Sequence, residues 1–220
     1  TIDVDRVAEA ITTRTKAIIP VDLAGMPADY EALMQLATSS DLFQARTPEQ
    51  EQLGRILVLA DAAHSLGASY QNQAAASFPD VSVFSFHAVK NLTTAEGGAI
   101  CLNLPSNFDL DDLYKKLNTK SLHGQSKDAL AKFGKNSWEY DVYEAGYKCN
   151  MPDVLAAIGL VEIRRYAQDT LPKRKAILEA YHRGFANISW AQTPLTRSPT
   201  KESSAHLYLL RIRQCTLEQR

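Results

Sequence analysis

Ser85-Phe86-His87-Ala88-Val89-Lys90-Asn91-Leu92-Thr93-Thr94-Ala95-Glu96-Gly97-Gly98-Ala99-Ile100 lies between two apolar runs, and its reading decides the fold. Val81 to Phe86 on one side and Ala99 to Leu102 on the other have the length and composition of strands. Lys90 therefore stands just past a strand end, with a hydroxyl five residues before it and a Gly-Gly pair after it. That setting suits a lysine that carries an aldehyde cofactor as a Schiff base. Twenty-nine residues upstream, Ile56-Leu57-Val58-Leu59-Ala60-Asp61 is a second apolar run, ending in a carboxylate where a partner for a pyridinium nitrogen is expected. Ile56 to Ala60 lacks polar alternation, the pattern of a strand covered on both faces.

Working outward, Val4, Val7, Ala8 and Ile11 recur at helical spacing behind the capping residue Asp3, which predicts a helix over about 3–13. Lys16 to Val21 reads as a short strand, Asp22 to Pro27 as a turn, and Ala28 to Ala37 as a helix. Residues 38–53 form a polar surface excursion containing a short helix, Pro48 to Leu53. Beyond the lysine, helices are expected over Asp111 to Ser121 and Lys127 to Phe133. Two more are opened by prolines, from Pro152 to about Ala167 and from Pro172 to about Ala186. His206 to Ile212 is strand-like. Strands alternating with helices predict an α/β fold around a mainly parallel sheet.

Composition excludes several function classes. Twenty-four basic against 25 acidic residues leave no excess charge for nucleic acid, and the Lys-rich stretch from Lys115 to Lys135 reads as a solvated helical face. No apolar run approaches the roughly 20 residues that span a bilayer, and the N-terminus has no signal pattern, so a cytoplasmic protein is expected. Cys101, Cys149 and Cys215 have neither metal nor redox spacing and are expected to be buried or half-buried thiols in a reducing compartment. Metal binding by Asp61, His64 and His87 is disfavoured by their apolar neighbours, and no Gly-x-Ser-x-Gly elbow supports a hydrolase.

The run from Ser85 to Gly98 matches the pattern S-F-x-x-x-K-N-x-x-x-x-E-G-G. With Asp61-Ala62-Ala63-His64 and Gly146-Tyr147-Lys148-Cys149-Asn150-Met151-Pro152-Asp153, it resembles the DegT/DnrJ family of pyridoxal-phosphate-dependent sugar-nucleotide aminotransferases. The resemblance implies fold type I: a three-layer α/β/α sandwich, aspartate-aminotransferase-like, with a smaller α+β C-terminal domain. Residues 1–150 would belong to the large cofactor-binding domain and residues 151–220 to helices and the beginning of the small one. The chain would be the central part of a longer protein, lacking an N-terminal portion that supplies phosphate-binding and ring-stacking groups.

By the same resemblance Lys90 holds pyridoxal 5'-phosphate and moves protons, Asp61 anchors its ring nitrogen, and Ser85 binds its phosphate. His64 packs near the ring or its phenolic oxygen, and Asn150 serves the partner's site in a homodimer. Local readings compete with these: Asp61 capping a helix, Ser85 bonding a turn, His64 satisfied by backbone, and Asn150 capping the helix that Pro152 opens. Asp22 stands where the family commonly has histidine. His123 and His206 match family positions near substrate or the dimer partner, with no chemistry assigned. The implied reaction moves an amino group, from glutamate by the family's habit, to a keto sugar linked to a nucleotide in surface polysaccharide or amino-sugar synthesis. The alternatives are a folding or dimerisation fragment without activity, or a lyase or dehydratase of the same fold. Dehydratases of the family carry histidine in place of the lysine, which Lys90 argues against.

Overall fold

The computed structural model describes residues 1–125, 140–216 and 218–219, so the expected helix Lys127 to Phe133 lies outside the described residues. The chain opens with α1 (Val4–Ala10), whose first turn is closed by Asp3 accepting the amides of Asp5 and Arg6 at 3.1 and 3.3 Å. β1 (Ala17–Ile18), α2 (Tyr30–Ser39) and α3 (Pro48–Leu53) follow. α3 starts on the Thr47 hydroxyl and stops at Gly54, whose φ of 69° suits the residue that ends a helix.

β2 (Leu57–Asp61), a hairpin of β3 (Ser69–Tyr70) and β4 (Gln73–Ala74), β5 (Val81–Ser85) and β6 (Gly98–Leu102) come next. The larger sheet has the order β1-β2-β5-β6, with β1-β2 and β2-β5 parallel and β5-β6 antiparallel. It is thus mainly parallel, and its register pairs Asp61 with Val83 and Ser85 with Gly98.

One face of this sheet is sealed. Val58 and Ala60 are fully buried with Ile56, Tyr30, Leu33 and Ala37 in a core shared with α1 and α2. Burying each large aliphatic side chain contributes roughly 1.5–3 kcal/mol. The other face is not sealed: Leu57 and Leu59 are half-buried, while Val83 and Ile100 are 37% and 50% exposed. The expectation that this strand is covered on both faces is therefore corrected. α4 (Leu110–Ser121) and α5 (Asp153–Arg165) flank that side across a cavity of about 830 Å³, lined by Val83, Ile100, Tyr114, Leu117 and Leu155 among others.

α5 and α6 (Leu171–Phe185) form one continuous run rather than two separate helices. A wide π-turn over Tyr166–Thr170 joins them. Pro172, which has no N–H, lies just past the wide turn, where the regular helical bonding is already interrupted. The wide turn also brings the buried Tyr166 inward, where its hydroxyl donates to the Leu66 carbonyl at 2.6 Å. The expected strand His206 to Ile212 is the clearest departure. Only β9 (Arg211–Ile212) pairs, with β7 (Ala191–Gln192), and β8 (Lys201–Glu202) joins β3 instead. The residues between are held by other partners: Ser204 N donates to Gly25 O at 3.0 Å, and Arg174 donates to the Ala205 and His206 carbonyls at 3.2 and 3.0 Å. Backbone groups committed this way are lost to a strand ladder.

The three cysteines are exposed and free, against the expectation of buried thiols.

At Gly98 an added methyl would stand 2.6 Å from the Phe84 carbonyl oxygen, a backbone atom of the paired strand. Gly98→Ala is expected to destabilise the β5-β6 pairing by about 1–3 kcal/mol, the usual cost of overpacking. A denaturation midpoint equal to that of the parent protein would rule this out.

Candidate active site

Asp61 and Ser85 end the two neighbouring parallel strands β2 and β5. Asp61 pairs with Val83, and Ser85 is two residues further on, so both side chains leave the same face of the sheet. This is the incompletely covered face, and the carboxyl ends of parallel strands are where open α/β sheets bind ligands. The Asp61 backbone is held on both sides, donating to Pro20 O at 2.9 Å and accepting from Asp22 N at 3.1 Å. Its Oδ1 accepts the Ala63 amide at 3.1 Å in a turn, not at a helix start.

Lys90 rides on the twelve-residue connection 86–97 between β5 and β6. Phe86 N donates to Gly97 O at 2.8 Å and Thr94 N to Phe86 O at 2.9 Å, closing the base of the loop. Gly97, with a φ of 149°, allows that closure. Lys90 N donates to His87 O at 2.9 Å, so the lysine ends a tight turn, and its side chain is half-buried. Ser85 Oγ accepts the His87 amide at 3.3 Å, and His87 itself is exposed, 3.7 Å from Glu96.

His64 completes the group. Its Nδ1 accepts the Ala24 amide at 3.3 Å, and its ring lies against His206, with centroids 4.3 Å apart. Burial, then the Lys90 charge, pulls its pKa below the usual imidazole range, with Asp61 opposing. Asp61, His64 and Lys90 therefore share one electrostatic environment. Asn150 stands elsewhere, on the wall of the 830 Å³ cavity beside Met151 and Gly97. Its Oδ1 accepts from Lys148 Nζ, and no side-chain bond caps α5, so the helix-capping reading of Asn150 is not what the structure contains.

Sequence reasoning did not assign chemistry to His206, nor single out Asn91, Tyr166 or Ser204. The buried Asn91 donates to Ser204 O at 2.7 Å and meets His206 Nδ1 at 2.8 Å. Asn91 follows Lys90 directly in the motif, and that adjacency was the available signal. Its partners lie more than a hundred residues away, and no local pattern points to them. Asp22 is structural: fully buried, it accepts from Ala28 N at 2.8 Å and Tyr30 Oη at 2.7 Å, and burial raises its pKa.

Burial, then the charges of His64, Lys90 and Arg174, lowers the His206 pKa to about 4 from 6.5. Between those values the unfolded chain binds a proton that the folded chain refuses, so stability falls as the pH drops from 6.5 to 4. His64 acts in the same direction. His206→Asn is expected to flatten the melting temperature against pH over that window. An acid limb with unchanged slope in the variant would contradict it.

The family model for DegT/DnrJ/EryC1/StrS aminotransferases matches residues 1–220. The chain is 35% identical over 212 residues to the spore coat polysaccharide biosynthesis protein SpsC of Bacillus subtilis, covering 96% of this chain and 49% of SpsC. Among solved structures it superimposes on Streptococcus pneumoniae Spr1654, designated a sugar aminotransferase, in its PLP-form. The TM-score is 0.90 at 42% identity, over 100% of this chain and 53% of that one. It also resembles Helicobacter pylori PseC, an aminotransferase involved in the biosynthesis of pseudoaminic acid. There the TM-score is 0.75 at 30% identity, over 97% of this chain and 50% of that one. The chain spans about half the length of the relatives it matches. With the lysine loop, the strand-end carboxylate and a match along its whole length, the chain belongs to the DegT/DnrJ/EryC1/StrS aminotransferase family.

Proposed function

We propose that this chain carries the cofactor lysine of a pyridoxal-5'-phosphate-dependent aminotransferase that moves an amino group, from glutamate as donor, to the keto carbon of a nucleotide-linked sugar. The observation that carries this reading is the convergence of Asp61, Ser85, His64 and Lys90 at the ends of β2 and β5. The donor set fits the cofactor: an amine for its aldehyde, a carboxylate for a protonated ring nitrogen, a hydroxyl for its phosphate and an imidazole beside the ring. When bound, the group supplies an electron sink for the pair released as a substrate Cα proton leaves.

The side chains do the rest. Lys90 would hold the cofactor through its ε-amine, and the same amine, when free, would hold or move a proton at the substrate carbon. Asp61, fixed by its backbone bonds to Pro20 and Asp22, keeps a positive charge on the ring nitrogen. Ser85 contributes a hydroxyl toward phosphate, and His64 lies alongside. Asn150 serves the equivalent site of a second copy. Its exposure fits that role, as does the exposed apolar face of Val154, Ile158 and Val161 on adjoining α5, which a partner would cover. Residues 1–150 then belong to the large domain, and residues 151–220 lead into a smaller one.

We place the enzyme in the cytoplasm, in amino-sugar or surface-polysaccharide synthesis. The polysaccharide role of SpsC supports that setting, and among the described residues no helix is long and apolar enough to cross a membrane.

The test adds pyridoxal 5'-phosphate, follows the absorption near the visible edge, reduces with borohydride and maps the labelled peptide. The expected label is on Lys90. Glutamate should then convert the cofactor to its amine form, and keto-sugar nucleotides should restore the aldehyde form. A label on any other lysine would sink the reading. Glutamate-independent turnover of the sugar would instead favour a lyase or dehydratase.

A further inference from the structure

Asn91 is the residue through which the lysine loop meets the C-terminal part of the chain. Its Nδ2 donates to the Ser204 carbonyl at 2.7 Å. A carbonyl oxygen only accepts, so the orientation of the amide is fixed, and its oxygen is the atom that faces His206 Nδ1 at 2.8 Å. Nδ1 of His206 must then carry a proton, which leaves Nε2 as the only acceptor of the neutral ring. His64 is the opposite case. Its Nδ1 accepts the Ala24 amide, so in the neutral ring the proton sits on Nε2.

The two rings lie with centroids 4.3 Å apart at 37°. Both backbones are clamped: Ser204 Oγ donates to His64 O at 2.5 Å, and Arg174 donates to the Ala205 and His206 carbonyls. Ala24 and Ala205, which flank these contacts, adopt left-handed φ values of 58° and 57°. Such values are uncommon for residues with a Cβ and persist only where the surroundings over-determine them. His64 is therefore held from Ala24 on one side and from Ser204 and His206 on the other.

We propose that His206 is a positioning residue for the Lys90 site: held by Asn91 as the Nδ1–H tautomer, it clamps the His64 ring so that His64 presents an Nε2–H donor beside Asp61 and Lys90. The inference rests on the proposed role of Lys90 only for naming that site. A clamped, neutral pair supplies one fixed donor without adding positive charge beside a lysine that has to give up its own proton. The low pKa of both rings agrees with neutrality near pH 7. Because Asn91 is covalently next to Lys90, the same contact ties the lysine loop to the segment that carries His206.

The experiment is ¹⁵N spectroscopy of the histidine-labelled protein at pH 7 without cofactor, where the five histidines are assigned through His64→Gln and His206→Asn. The expected result is a His206 signal with the proton on Nδ1 and a His64 signal with the proton on Nε2. His206→Ala should collapse the His64 signals toward averaged tautomers, and His206→Phe, which keeps a ring against His64, should restore the single tautomer. Should the alanine variant fail to fold, the phenylalanine variant together with Asn91→Ala, expected to release the His206 tautomer, decides the matter.

Averaged or doubly protonated rings in the unsubstituted protein overturn the inference, and so does a His64 signal indifferent to His206→Ala. Borohydride labelling in the same preparation separates the two readings. Failure to label Lys90 counts against the cofactor role alone, and the histidine signals are then judged by themselves.

Discussion

Lys90→Ala is expected to abolish covalent capture of pyridoxal 5'-phosphate and to lower amino transfer by about 10²–10⁴-fold, the range supplied by a positioned acid–base group. The loss should be chemical rather than structural. The loop is closed by backbone bonds of Phe86, Thr94 and Lys90 itself, all of which an alanine keeps. The lysine side chain is half-buried at the end of a turn, so the melting temperature should move little. The decisive comparison sets borohydride mapping and glutamate half-reaction rates beside thermal melts of both proteins. A variant that still captured the cofactor at the same rate, through another lysine, would remove Lys90 from its assigned role.

The largest stability effect is expected far from the lysine. Asp80 is 1% exposed, accepts two bonds from the Arg55 guanidinium at 2.8 and 2.5 Å, and takes the Val58 amide at 2.9 Å. It joins the start of β5 to β2 where the two strands enter the sheet. Asp80→Ala leaves a buried β2 amide without its acceptor and a largely buried guanidinium with the Ile56 carbonyl at 3.2 Å but no counter-charge, and should cost about 3–5 kcal/mol. A double variant, Arg55→Met with Asp80→Leu, should recover part of that loss, because no unpaired charge remains. Chemical denaturation of the two variants beside the parent protein measures both effects. A single-variant cost under about 1 kcal/mol would mean that the pair behaves as an exposed ion pair, contrary to its burial.

Much of this architecture was legible from local pattern. The helix starts at Asp3 and Thr47 follow from side-chain oxygens that reach free amides, and α3 was bounded at the observed residues. β2 and β5 were each placed to within a residue of their observed bounds, because unbroken apolar runs of that length rarely do anything else. The roles of Asp61, His64, Ser85 and Lys90 come from the family resemblance of their motifs, and the structure brings these four to one region. The errors share one cause. His206 to Ile212 has the composition of a strand, yet the backbone at its start is spent on Ala24 and Arg174, partners with no trace in the local sequence. β2 looks sealed from its composition, but how much of each face is covered depends on elements packed against it. The cysteines sit on surfaces for the same reason.

The sequence by itself determined the α/β alternation, the strand-end carboxylate and the lysine loop closed by two glycines, since each follows from interactions within a few residues. Only the tertiary structure decided that Asn91, Ser204 and His206 meet, that the His64 and His206 rings lie against each other, and that one sheet face remains incompletely covered. Those outcomes depend on which distant groups satisfy buried donors and acceptors, and the free energy of such pairings is fixed by geometry that no local pattern encodes.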